Sequence, residues 1–344
     1  MSVIYMNGFE WNNMAENITA YDGCTLQTRT SGHSVRSGNH SIWIGGGDWI
    51  EAQPSATVSE FYIQFAFRTG QAFTSVFRVL SWRYEGNIVG TIAFDGVAQH
   101  LKFYTGDPAT GTLRMTGNTT IVQNVWYYVE LHVIIDPTNG LFDLRMEGIP
   151  DTSYTGSTQP GADYEINRIR FDSSLVSNYY SGFHIDDVVM VDTTGEVNNS
   201  WTNCLSVYLL RPWGAGGSER WDRTSTTALN NFECVDGAPS ADPAEYIYTE
   251  YGGKLDLYLI EDLPEEAYSI EAVRADAWAC KTSGSSRNLE VAINTYATTF
   301  ISSTHELDMY YTLYGSYWEQ NPAGGTHWSV AEVNGLEAGV RSSF

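Results

Sequence analysis

Glu130 and His132 stand two residues apart in "NVWYYVELHVIIDPTNGLFDLRMEG", residues 124–148. A carboxylate and an imidazole at that spacing share one face of a strand, because side chains alternate with a period of two. The chemistry to weigh is glycoside hydrolysis, which needs two carboxyl groups flanking the bond, one an acid and one a base or nucleophile. The strand reads Glu130-Leu131-His132-Val133-Ile134 and supplies one carboxylate. Asp143 and Arg145, on the return run, are cross-strand charge partners for Glu130. The expectation is therefore a wet sheet face carrying Tyr128, Glu130 and His132, with no catalytic residue.

Other constellations are weaker. Asp186-Asp187 with Asp192 offers oxygen ligands for a structural Ca²⁺. Adjacent residues of a regular strand point to opposite faces, so at most one of the first two contributes directly. The ordinary reading is a strand-end Asp accepting backbone N–H bonds; no metal and no other cofactor are expected. Gly45-Gly46-Gly47 lacks the Lys-Ser/Thr that follows in a phosphate loop and reads as a turn. Aromatic rings beside polar groups can stack on sugar rings. The candidates are Trp82 and Tyr84 in "WRY", and Arg211, Trp213 and Trp221 in "RPWGAGGSERW". Burial at a domain or subunit interface is the competing fate of such residues.

The elements that would carry these residues are strands. "SEFYIQFAFRT" (59–69), "TSVFRVLSWRY" (74–84), "NIVGTIAFDG" (87–96), "HLKFYTG" (100–106), "EINRIRFDS" (165–173) and "GFHIDDVVMVDTTG" (182–195) are short runs bounded by turn residues. In 124–148 the Asp136-Pro-Thr-Asn-Gly140 segment supplies the turn: Pro fixes φ, and Asn-Gly tolerates positive φ. Polar "TTGEVNNSWTN" marks a boundary near 195–203, which divides the chain into 1–197 and 198–344. After it "CLSVYLLRP" (204–212), "KLDLYLIED" (254–262), "YSIEAVRADAWAC" (268–280), "RNLEVAINT" (287–295) and "EVNGLEAGVR" (332–341) read as strands. The stretch 211–253 is loop-rich, and loops that long are often functional or covered in an assembly. Ser329 and Glu332 have capping-box spacing for one short helix. The fold class is all-β, an antiparallel sandwich followed by a second β-sandwich-like domain.

Composition agrees. Aromatics are 14% and glycines number 32, which suits strands and tight turns. A net charge of −23, with Lys102, Lys254 and Lys281 the only lysines, provides no run of cations for phosphates or anionic lipid. No nucleic-acid partner is expected. No apolar run is long enough to span a bilayer, so no membrane insertion is expected either. "MSVIYMNGFEWNN" lacks the basic region and apolar core of a signal peptide, which implies synthesis in a cytoplasm. Among Cys24, Cys204, Cys234 and Cys280 none has metal-knuckle spacing. Cys204 with Cys234 is the conceivable disulfide, against isolated buried thiols.

"VWYYVELHVIIDPTNGLFDLRMEG" resembles the recurrent hairpin of concanavalin A-like lectin/glucanase jelly-rolls, in their laminin-G-like branch. "FHIDDVVMVDTTG" resembles the strand closing such a domain, and "VIYMNGFEW" and "HSIWIGG" its first strands; the likeness covers about 1–195. The later "VYLLRPWGAGGSERW", "NNFECVDGAPSADPAEYI" and "THWSVAEVNGLEAGVR" resemble the extension found in tailed-bacteriophage virion proteins. The glucanase branch carries Glu-x-Asp-x-Glu on one strand, and here two of those three positions are His132 and Ile134. The resemblance implies a non-enzymatic structural protein of the virion, a fibre or spike component touching host-surface glycans. The alternative is a capsid, neck or tail decoration protein without glycan binding; the rival class is a glycoside hydrolase or free lectin. It also implies a homo-oligomer, a trimer in a fibre, contacting other virion proteins through 211–253.

Overall fold

The computed structural model describes residues 2–11, 18–29, 35–70, 75–161, 165–173, 182–237 and 243–343. Residues 238–242, within the loop-rich stretch, lie outside them. The chain divides into two compact units, Met1–Tyr208 and Leu209–Phe344.

The first unit is a sandwich of two antiparallel sheets. One runs Ile149–Gly156, Gly140–Met146, Tyr127–Ile134, Glu60–Thr69, Phe183–Asp192, His40–Ile44 and Thr25–Thr28, with Val3–Asn7 also paired to Phe183–Asp192. The other runs Thr112–Thr116, His100–Thr105, Asn87–Asp95, Val76–Tyr84, Arg168–Asp172, Trp49–Ala52 and Ala20–Asp22. The chain crosses repeatedly between them. Glu60–Thr69 hands over to Val76–Tyr84, and Ile149–Gly156 to Arg168–Asp172 and then back to Phe183–Asp192. That alternation is the jelly-roll plan, and it puts residues distant in sequence side by side.

The apolar half of each alternating run fills the space between the sheets. Phe61, Ile63, Phe65 and Phe67 from one sheet meet Phe77, Trp82, Phe103 and Phe171 from the other, all buried. Rings pack edge-on, as Phe65 does on Phe171 at 5.1 Å and Trp82 on Phe142 at 5.7 Å. Gly90, opposite Trp82 in the ladder, has no Cβ because the indole lies where one would stand.

The second unit has a sheet of six strands. Its main path is Pro212–Ala215, Leu255–Ile260, Glu337–Ser343, Asn288–Thr295 and Thr298–Ile301, with His305–Glu306 also on Asn288–Thr295. Val273–Ala279 pairs with Thr312–Trp318 as a separate ribbon. A small core of Ile260, Val291, Ile293, Trp328, Val333 and Leu336 lies here. The helix Val330–Asn334 carries the expected capping box: Ser329 Oγ accepts from Glu332 N–H, and Glu332 accepts from Ser329 N–H. The strand expected over 332–341 begins later, at Glu337, because this helix occupies its first residues.

One sequence expectation changes. The strand expected over 204–212 is not formed, and residues up to Tyr208 belong to the first unit. Their backbone is spent elsewhere: Val207 N–H donates to Asp187 at 2.7 Å, and Leu205 C=O accepts from Arg36 at 2.6 Å. Within the loop-rich stretch 211–253 the described residues form only short elements, Pro212–Ala215, Asp222–Arg223, Asn231–Cys234 and Ile247–Tyr248. Its turn around Asn231–Cys234 is tied to the sheet by the buried Asp256, which accepts from the backbone N–H groups of Arg220 and Trp221, from Asn231 Nδ2 and from Tyr258 Oη.

Candidate functional site

The hairpin face is not wet. Tyr128 and Glu130 are completely buried, and His132 nearly so. The segment after the closing strand lies across them. Trp201 stands edge-on to Tyr62 at 5.0 Å, Arg145 covers the Trp201 ring at 4.1 Å, and Gln64 donates to Thr202. His132 stacks on Tyr62 at 4.0 Å and lies 3.0 Å from Glu60. Arg145 sits opposite Glu130 in the register, as its role of charge partner requires. Burial raises the Glu130 carboxyl, against the pull of the Gly148 N–H and of Arg145. A side chain so covered cannot reach a glycosidic bond.

The Asp186-Asp187 pair also departs from the alternation. A bulge breaks the register between Asp186 and Val189, and Asp187 takes a φ of 51°. Both carboxylates therefore meet the same loop. Asp186 accepts from Arg36 N–H at 3.0 Å, while Asp187 accepts from Ser37 Oγ at 2.6 Å and pairs with Arg36 Nη1 at 2.5 Å. Asp192 turns to Thr194. Among the described residues no group of three or more His, Cys, Asp or Glu side chains is placed to hold a metal ion.

Beside this pair Glu10 accepts from the N–H groups of Asn39 and His40, and burial raises its pKa to about 7. Burial raises both aspartates as well, although Arg36 pulls Asp187 down. For Glu10 the sign follows from linkage. Between the ordinary value near 4.5 and about 7 the folded chain holds a proton that the unfolded chain has released. Stability is thus fully present below pH 4.5 and falls as pH rises towards 7, by up to about 3 kcal/mol. Chemical denaturation at pH 5 and pH 8 should show that loss, and Glu10→Gln should flatten it.

The sugar-contact candidates scatter. Trp82 is a core residue, wholly enclosed between the sheets, which overturns its role as a surface contact. Tyr84 is half-buried against the same core. In the second unit Trp221 packs on Leu289, Leu307 and Tyr314, and its indole N–H donates to Lys254 C=O. Arg211 is engaged by Glu261 and by the Asp236 carbonyl. Trp213 alone of the five is open, 59% exposed, with its indole N–H on Ile260 C=O. All four cysteines are free.

The chemistry-bearing surface lies on the outer face of the seven-stranded sheet. Ile169 and Phe171 point into the core, so Arg168, Arg170 and Asp172 point out. Arg168 stands opposite Arg83, and Arg170 opposite Ser81 and Glu51. Arg78 Nε donates to Asp172 at 2.8 Å, and its Nη1 pairs with Asp107. Arg83 and Arg170 approach Asp172 at 3.8 and 3.9 Å, and Arg168 approaches Glu51 at 3.7 Å. Arg170 lies flat over Trp49, 3.7 Å from the ring centre. With Lys102, these four arginines are half of the ten Lys and Arg residues before residue 209. The absence of a cationic cluster read from the sequence is therefore corrected: pairing of Val76–Tyr84 with Arg168–Asp172 builds one.

These features define a two-unit all-β protein whose first unit is an antiparallel jelly-roll sandwich. No protein-family model and no curated protein matches the chain. Solved structures similar to it include an endo-β-1,4-glucuronan lyase from the fungus Trichoderma reesei. It is 11% identical at a TM-score of 0.41, over 53% of this chain and 94% of that one. The carbohydrate-binding module CBM66 from Bacillus subtilis is 13% identical at 0.35, over 51% and 98%. The binding domain of Paraclostridial Mosquitocidal Protein 1 is 11% identical at 0.42, over 80% and 74%.

Proposed function

We propose that the chain is a non-enzymatic glycan-recognition protein of a tailed-phage virion, a fibre or spike component that meets host-surface glycans. The observation that carries the glycan reading is the outer face of the seven-stranded sheet. Arg83, Arg168 and Arg170 offer donors there, Glu51 offers an acceptor, and Trp49 offers an aromatic surface, while the buried Asp172 holds the arginines in place. Strands hold these groups rigidly, as recognition of a polyhydroxylated ligand requires. The non-enzymatic part is supported by Glu130, whose side chain is wholly buried. The virion placement rests on the two-part sequence resemblance. Trp213, Tyr268 and Tyr310, at 59%, 91% and 83% exposure, support a homo-oligomer, a trimer in a fibre, that covers second-unit aromatics.

A glycan array probed with the whole chain tests the reading. Binding should be lost in Arg170→Ala and kept in Trp213→Ala and Glu130→Gln. Binding to no glycan would overturn it in favour of a decoration protein. Release of sugar from any bound glycan, abolished by Glu130→Gln, would overturn the non-enzymatic assignment.

A further inference from the structure

We infer that the glycan taken by this face is acidic, and that a uronate carboxylate is held by the guanidinium groups of Arg83 and Arg170. The inference rests on the glycan reading and adds the chemical class of the ligand.

Donors on this face outnumber acceptors. A guanidinium carries five N–H donors and no acceptor, and a carboxylate takes about four hydrogen bonds. Asp172 is approached by Arg78, Arg83 and Arg170, and of the three Arg78 is the closest. Arg83 donates to Ser81 from Nε at 3.0 Å. The Arg170 guanidinium makes no hydrogen bond to any described residue. Its Nε is buried and pairs with Oδ2 of Asp172 only at 3.9 Å, an oxygen that also lacks a hydrogen bond. A buried charged donor left in that state costs free energy that an incoming oxygen would recover.

Repulsion points the same way. Arg83 and Arg168 are directly opposite in the ladder, a like-charge pairing that destabilises a sheet. Burial, and then Arg170 and Arg78 as neighbouring positive charges, disfavour the charged form of Arg83, against the pull of Asp172 and Glu51. An anion between these groups would relieve both penalties at once. Arginine forks match a planar carboxylate with two parallel N–H···O bonds. The stack on Trp49 fixes the Arg170 plane in advance, so little side-chain entropy is lost on binding. Apart from these arginines the chain is strongly acidic, which disfavours approach of a polyanion elsewhere.

Isothermal titration of the whole chain decides the matter, with oligogalacturonate, oligomannuronate and the same oligosaccharides after carboxyl reduction. The expected result is binding of a uronate that weakens at least tenfold on carboxyl reduction and weakens further as salt is raised from 50 to 500 mM. Arg170→Gln and Arg83→Gln should each weaken it about tenfold or more, with the melting temperature of each variant checked. Carboxyl reduction and salt act on the unaltered chain, so they decide even where a variant does not fold. Equal binding of the reduced oligosaccharide would overturn the inference and leave the glycan reading standing. Binding only of sulfated glycans would overturn the carboxylate assignment. Uronate binding unchanged in both folded variants would place the site elsewhere and overturn it too. No binding of acidic or neutral glycans would remove the glycan reading itself.

Discussion

Asp172→Ala lowers the stability of the first unit by on the order of 3 kcal/mol, the range found when one partner of a buried charge pair is removed. The carboxylate is wholly buried, and three guanidinium groups converge on it from two adjacent strands. With it gone, Arg78 keeps Asp107, but Arg83, Arg168 and Arg170 are left to share Glu51. The arginines are partly solvated, which limits the loss; a fully enclosed cluster would lose more. Differential scanning calorimetry should register a fall of roughly 6–12 °C for a unit of this size. Asp172→Asn keeps the shape and one acceptor, and should fall about half as far. A shift for Asp172→Ala within about 2 °C would mean that the arginines are held by something other than this carboxylate.

Trp82→Ala should cost about 3–5 kcal/mol, as truncation of a buried large aromatic does. The indole fills the space between the sheets against Phe61 and Phe142, and Gly90 leaves room for it. The neighbouring strand cannot collapse into the void without breaking its ladder with Val76–Tyr84. Trp213→Ala, by contrast, should cost about 1 kcal/mol or less, the worth of its one hydrogen bond to Ile260 C=O. Urea denaturation of the two variants separates these fates. Equal midpoints would contradict the placement of Trp82 in the core.

Local pattern told much of the fold and little of the surface. The runs 59–69, 87–96 and 100–106 became strands because their alternation matches a half-buried sheet, and the Ser329–Glu332 cap formed because its bonds are local. Alternation alone does not say what lies over a polar face. Glu130 and His132 read as solvated because nothing near them in sequence covers them, yet both are buried, and Trp201, some seventy residues on, stands edge-on to His132 at 6.2 Å. The bulge at Asp186-Asp187 was equally hidden, since one inserted residue leaves the composition of the strand unchanged. The arginine face was the least legible feature. Arg78 and Arg83 lie far along the chain from Arg168 and Arg170, and only antiparallel pairing brings them together. A sequence signal was present in "RIRFD", whose alternate arginines must share one face once Ile169 and Phe171 are assigned inward.

A glycan bound on the outer face of the seven-stranded sheet would shield the strands that form that face. Hydrogen–deuterium exchange of the whole chain, with and without saturating hexuronate oligosaccharide, reads that shielding strand by strand. Exchange should slow in Val76–Tyr84, Arg168–Asp172 and Trp49–Ala52, and stay unchanged from residue 209 onwards. Protection confined to 211–253, around Trp213 and Trp221, would contradict a glycan site on that face.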